Sequence, residues 1–309
     1  MDMNESMKAL VIGYGSIGQR HARLLTELGL NTACVTKQQS AAHKHFPDIS
    51  VALRTWGPQY VVIASPTARH ASDLTSVLED EFQGPILIEK PMFSDLTTLM
   101  KPLTDSVFVG YNLRFLDAVG QLKDILADQQ VLTVSIWNAQ YLPDWRPGRD
   151  YRTTSSAHRS AGGGVLRDLS HGLDLLLYLF GKINSVQARI TRTGTLEIDT
   201  EDCVLASLST NLCETVSMYL SYLDRIPRHE IRVTTTQASI HCDLLSGEIT
   251  TNNAHSTYTT DRDETFRRMH RAVLSNDRTT VCSVADGMST VRTISALEQS
   301  ALTKTLISL

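Results

Sequence analysis

Through the first third of the chain, short apolar runs alternate with stretches of helical periodicity. Met7–Ile12 reads as a buried strand and Ser16–Leu28 as a helix. Thr32–Thr36, Tyr60–Ala64, Pro85–Ile88 and Val107–Val109 read as further strands, with helices expected at Thr67–Leu78 and Ser94–Met100. Strand–helix alternation of this kind predicts a doubly wound parallel sheet covered on both faces. From about Leu132 the texture changes to longer strand runs: Val131–Tyr141, Ser185–Thr193, Val204–Ser209, Thr215–Tyr222, Glu230–Thr236 and Ala238–Leu244. Helical stretches at Leu166–Phe180, Glu264–Ser275 and Asp286–Leu302 are segregated from them, which predicts an α+β second domain. The seam is expected within Phe115–Gln129, dividing the chain into 1–118 and 119–309, with the last helix able to pack back on the first domain.

Composition narrows the class without naming it. At 309 residues, with 42% hydrophobic and 20% charged positions, the chain suits two globular domains and excludes wholesale disorder. A net charge of −4 argues against a broad grip on nucleic acid. The longest apolar run, Leu175–Phe180, is far too short to cross a bilayer, and the first residues lack the basic flank and apolar stretch of a signal peptide. Five widely spaced cysteines, without paired-ligand spacing, read as reduced thiols in a cytoplasmic protein and not as a metal site. Neither an internal repeat nor a low-complexity tract is present.

The strongest local motif is Gly13-Tyr14-Gly15-Ser16-Ile17-Gly18, between the first strand and the first helix. In that context, Gly13 permits the tight turn, Gly15 lets the backbone approach a pyrophosphate and Gly18 allows close helix–strand packing. The amides of Ser16, Ile17 and Gly18 at the helix start would hold phosphate. An acidic residue at the end of the second strand would bind the ribose 2′-hydroxyl of NAD, but the residues there are Thr36 and Lys37. A hydroxyl followed by a cation leans toward the 2′-phosphate of NADP, with NAD as the alternative.

Further motifs lie at strand ends: Ala64-Ser65-Pro66-Thr67, with His70 beginning the next helix, then Glu89-Lys90-Pro91 and Gly110-Tyr111-Asn112-Leu113-Arg114-Phe115. A glycine-rich stretch runs from Gly162 through Asp168 and His171 to Gly181, and a helical segment begins at Asp286. In this order and spacing the chain resembles the glucose–fructose oxidoreductase / inositol 2-dehydrogenase (Gfo/Idh/MocA) family over nearly its whole length. The resemblance implies an N-terminal Rossmann domain and a C-terminal α+β domain with a large open, mainly antiparallel sheet. It also implies an NAD(P)-dependent dehydrogenase acting on a sugar or polyol, assembled as a homodimer or homotetramer.

By the same resemblance Lys90 is the active-site lysine, and Pro91 matches a proline commonly preceded by a cis peptide. A lysine at the carboxyl end of a parallel strand points into the ligand crevice and can hydrogen-bond a reacting hydroxyl. Asp168 and His171, three apart on one expected helix, would share a face and converge on substrate. Histidine suits proton transfer at physiological pH, although the roles of Lys90 and His171 could be exchanged. Asp174, rotated away from Asp168, reads as structural. Cofactor contacts are expected from Ser65, Pro66, Thr67, His70, Glu89, Lys90 and Asn112 as well as the glycine loop. Arg114 and the aromatic, arginine-rich loop carrying Tyr141, Trp145 and Arg149 are expected on the substrate, the loop suiting a sugar with a carboxylate or phosphate. No metal is called for. A non-catalytic nucleotide sensor on the same fold is the alternative, disfavoured by the presence of both proton-transfer groups.

Overall fold

The computed structural model describes residues 6–38, 42–96, 103, 105–252 and 254–309. The chain divides into two compact units, residues 1–112 with 262–287, and residues 113–261 with 288–309. The sequence seam lies within a few residues of the first crossing. It does not show that the segment around helix Arg262–Leu274, expected in the second domain, rejoins the first.

In the first unit, β1 (Lys8–Ile12), β2 (Asn31–Val35), β3 (Lys44–Phe46), β4 (Tyr60–Ile63), β5 (Ile86–Ile88) and β6 (Val107–Val109) form a parallel sheet in the order β6-β5-β4-β1-β2-β3. Cys282–Ser283 adds an antiparallel edge beside β6. Strands β1, β4, β5 and β6 are almost wholly buried, which is why they read as unbroken apolar runs. The order reverses between β1 and β4, and a crevice at their carboxyl ends is where such a sheet binds its ligand. Helices α1 (Ser16–Glu27), α2 (Ile49–Trp56) and α3 (His70–Glu79) complete the crossovers. The three-residue β3 and helix α2 were not expected, because Lys44-His45-Phe46 has no apolar run. Ser94–Leu96 are not helical, and the rest of the helix expected at Ser94–Met100 lies outside the described residues.

In the second unit, β7 (Val131–Ala139), β8 (Ile183–Thr191), β9 (Cys203–Thr210), β10 (Val216–Ser221), β11 (Arg228–Thr235), β12 (Ser239–Asp243), β13 (Glu248–Thr250) and β14 (His255–Thr257) make an open sheet. Its order is β14-β13-β12-β11-β7-β10-β9-β8, with Ile307–Ser308 at the far edge. Every pair is antiparallel except β7 with β10. One face alternates into a core with α4 (Asp117–Leu126), α5 (Val165–Asp168) and α6 (His171–Phe180). The expected continuous helix Leu166–Phe180 is therefore two helices. At Leu169–Ser170 three-residue bonds replace four-residue ones (Ser170 N to Arg167 O at 3.4 Å, Gly172 N to Leu169 O at 3.1 Å). Tertiary packing sets this break. The Leu166 amide is held by Glu201 Oε1 at 3.2 Å, while a Cβ at Gly172 would already touch Ile136 and Leu220 of the sheet.

Candidate active site

The nucleotide loop of the first unit has the shape its glycines predict. Gly13 has φ +97° and its amide donates to Val35 O at 3.0 Å. A side chain there would collide with the Ala64–Ser65 backbone, and one at Gly18 would collide with the Gly13 carbonyl. Around Gly15, by contrast, nothing lies within 4 Å of where a Cβ would stand. That space lets a pyrophosphate approach the backbone, and Gly15, as N-cap, has no side chain to compete for the first-turn amides of α1. Ser65 Oγ is buried in the same crevice with no hydrogen-bond partner among the described residues, so a ligand hydroxyl or amide could satisfy it. At the end of β2, Thr36 Oγ1 accepts the Gln38 amide at 3.0 Å and Lys37 is exposed. The glycine loop, the end of β2 and the Ser65 loop leave the space and the polar groups that a dinucleotide would fit.

His70 and Asn112, expected as cofactor contacts, are buried and used by the protein. His70 Nε2 lies 2.9 Å from Ser65 O, and Nδ1 lies 3.1 Å from both Pro91 O and Met92 O, tying two crevice loops together. Burial lowers its proton affinity, and the carbonyls and the Glu89 charge offset only part of that. Asn112 Nδ2 donates to Thr265 Oγ1 at 2.7 Å. Lys90 follows β5 directly, half-buried, with a cis peptide to Pro91. Glu89 is buried beneath it, accepting the Lys90 amide on Oε2 at 3.1 Å and facing His21 Nε2 through Oε1 at 2.8 Å. Burial pushes the Glu89 carboxyl up, but the hydrogen bond and charge interaction with His21, followed by the Lys90 charge, outweigh it and hold it below its ordinary range.

The second unit carries its own cluster. Asp168 ends α5 and His171 opens α6, so the two flank a turn and do not share one continuous helix as expected. Asp168 Oδ2 accepts a hydrogen bond from Tyr222 at 2.6 Å. Tyr222 is fully buried, and its hydroxyl is pushed well above the ordinary tyrosine range by burial and by the Asp168 charge. Trp145 meets the Tyr222 ring edge-on at 5.2 Å and donates from Nε1 to Gln140 O at 3.2 Å. Beside Trp145 lies a small, open recess lined by Leu142, Pro143, Arg146, Arg149 and Tyr151. No carboxylate of the described residues pairs with Arg146 or Arg149. Tyr141 stands outside this recess, stacked under the Arg225 guanidinium at 4.1 Å.

Arg114, expected on the substrate, is buried, and its guanidinium is held by Asp174 through Nε at 3.0 Å and Nη2 at 2.7 Å, which makes the pair a strut under α6. The structural reading of Asp174 accords with this pairing. Sequence reasoning missed Tyr222, His21, Tyr60 and His270. Among these only His21 left a signal, as a polar residue on the apolar stripe Gly18, His21, Ala22, Leu25 of α1.

Two family models match the chain: the oxidoreductase family NAD-binding Rossmann fold over residues 7–104, and the GFO/IDH/MocA C-terminal domain over residues 119–241. The chain belongs to this family of NAD-binding oxidoreductases. Among solved structures it is similar to GenD2 from gentamicin A biosynthesis in complex with NAD (20% identity, TM-score 0.78, covering 100% of this chain and 98% of that one). It is also similar to the WlbA dehydrogenase from Bordetella pertussis in complex with NADH and UDP-GlcNAcA (17%, 0.79, 100% and 99%). A third is a levoglucosan dehydrogenase in complex with NADH and levoglucosan (15%, 0.81, 99% and 99%). At these identities the likeness shows the fold. No curated protein matches the chain by sequence.

Proposed function

We propose that the protein is an NAD(P)-dependent dehydrogenase acting on a secondary alcohol or ketone carbon of a sugar derivative or polyol. The observation that carries this reading is Glu89-Lys90-Pro91 directly after β5, at the carboxyl edge of a sheet whose glycine loop fits a dinucleotide. When bound, the nicotinamide accepts or returns the hydride. Lys90 hydrogen-bonds the reacting oxygen, and His171 exchanges the hydroxyl proton. Asp168, fixed by Tyr222, orients a neighbouring hydroxyl or the histidine. Arg146 and Arg149 beside Trp145 suit an anionic substituent, so an acidic sugar or a sugar phosphate ester is the favoured class. Solved relatives named as binding levoglucosan and UDP-GlcNAcA support a sugar in general. With Lys37 and no carboxylate at the end of β2, NADP is favoured over NAD.

The test is a panel of neutral polyols, uronic acids, sugar phosphates and nucleotide sugars, with formation or loss of reduced nicotinamide as the readout. Turnover should appear with an anionic sugar. Lys90→Ala and His171→Ala should each lower it by about 10²–10⁴-fold, the usual worth of a positioned proton-transfer group, and His171→Ala should keep cofactor affinity. Full turnover in either single variant would refute the assignment.

A further inference from the structure

Behind Glu89, three more buried side chains of the first unit continue its hydrogen bond. His21 Nδ1 lies 2.9 Å from His270 Nε2, and His270 Nδ1 lies 2.8 Å from the Tyr60 hydroxyl. Together with the 2.8 Å contact of His21 Nε2 to Glu89 Oε1, this makes an unbranched chain of four groups. Its members come from α1, helix Arg262–Leu274, β4 and the end of β5. His21, His270 and Tyr60 have no exposed surface, and a Cβ at Gly110 would press on Glu89 Oε1. Nothing in the proposed chemistry uses these three residues.

The hydrogens can be counted. Three contacts need three protons, and a Tyr60 hydroxyl with two neutral imidazoles supplies three. An ionised Glu89 can only accept, which orients every bond: Tyr60 donates to His270 Nδ1, His270 Nε2–H to His21 Nδ1, and His21 Nε2–H to Glu89. A fourth proton, placed on His21 or on Glu89 Oε1, reverses the rest of the chain and leaves the Tyr60 hydrogen buried without an acceptor, while Glu89 Oε2 is already taken up by the Lys90 amide. Burial and the neighbouring His21 also hold His270 well below the ordinary histidine range, so it resists the extra proton.

We propose that Tyr60, His270 and His21 form a buried chain that keeps Glu89 negatively charged and thereby holds the adjacent Lys90 as a cation, the donor that the reacting oxygen meets. This deepens the function proposed above and rests on Lys90 being the active-site lysine. The titratable groups around Glu89 are His21 from α1, Tyr60 from β4, His70 from α3, His270 beyond His21, and Lys90 itself. Only Lys90 is cationic when both imidazoles of the chain and the buried His70 are neutral. The three residues act through Glu89 and are positioning residues.

Nitrogen-15 NMR of the histidine rings in the full chain reads the device directly. At about pH 8 His21 and His270 should both carry their proton on Nε2, the tautomers that donate toward Glu89. A proton on Nδ1 of either ring would overturn the proposal. Tyr60→Phe, which removes one oxygen and keeps the ring, should free His270 Nδ1 and let its Nδ1–H tautomer appear. Lys90 is then titrated by carbon-13 NMR after reductive methylation, its signal assigned by its loss in Lys90→Ala. Glu89→Gln and His21→Phe should each lower its midpoint by about 1–3 pH units, the effect of one nearby opposite charge. An unmoved midpoint in both refutes the chain's role and leaves the dehydrogenase reading intact. Full turnover in Lys90→Ala refutes that reading whatever the NMR shows.

Discussion

His229 on β11 makes its unit sensitive to acid. It is buried, its Nε2 has no partner among the described residues, and burial pushes its ring down to about 4. In the unfolded chain it takes a proton near the ordinary histidine value of about 6.5. Between these values the unfolded state binds more protons, so stability falls as pH drops from about 6.5 to about 4 and levels off below. A shift of that size is worth about 3 kcal/mol at one pKa unit per about 1.4 kcal/mol. His229→Phe should flatten the fall, seen as a smaller drop of the unfolding midpoint between neutral pH and pH about 4. At the other end of the molecule's chemistry, Lys37→Ala should weaken NADP binding by about 1–3 kcal/mol and leave NAD nearly unchanged, as expected for a charge-assisted hydrogen bond to the 2′-phosphate. Calorimetric titration with both cofactors decides it. Equal affinities in the parent, unaltered in the variant, would remove the case for NADP.

Elements here are placed by close approaches as much as by propensity. Gly164, the last of three consecutive glycines, has φ +120° and stands where a Cβ would strike the Glu201 carboxylate. That carboxylate is buried, with burial raising its proton affinity, and it accepts the Leu166 amide at the start of α5. Gly164→Ala should therefore cost stability through backbone strain and displacement of Glu201, by about 1–3 kcal/mol for the strain alone. Denaturant unfolding measures the loss. Because α5 ends in Asp168, turnover should fall further than stability explains. A variant as stable as the parent would show that α5 does not depend on this contact.

On the scale of the whole molecule, the open face of the second sheet has no cover within its unit. Across five strands the register places Glu230, Trp137, Tyr219, Leu205 and Arg189 in one row. Leu205 is 57% exposed, Trp137 and Tyr219 stack at 4.4 Å, and Trp137 Nε1 has no acceptor among the described residues. Met218 and Tyr222, which alternate to the other face of the same strand and its continuation, are buried in the core. We expect a second copy of the chain to cover this row, since exposed apolar patches rimmed by charge mark association sites. Light scattering should report a dimer or larger assembly, and Leu205→Arg should shift it toward monomer. A parent that stays monomeric at micromolar concentration would exclude the assembly. Among the described residues no helix is long and apolar enough to cross a membrane, and the five cysteines form no disulfide.

Periodicity alone determined the parallel core of the first unit and most strands of the second, because burial on two faces or one writes itself directly into runs and alternation. The glycine loop was legible for a related reason: turn, approach and packing each exclude a side chain, and only glycine meets all three. Lys90 was singled out through the resemblance carried by Glu89-Lys90-Pro91, which follows a strand. What the sequence could not carry were relations between residues far apart in the chain. Arg114 pairs with Asp174 across 60 positions, and His21 meets His270 across 249. Periodicity carries no trace of such partners, since a buried polar group looks out of place until its acceptor is known. The break between α5 and α6 belongs with them. Local propensity favours one helix from Leu166 to Phe180, and the packing of each half on its own neighbours decided otherwise.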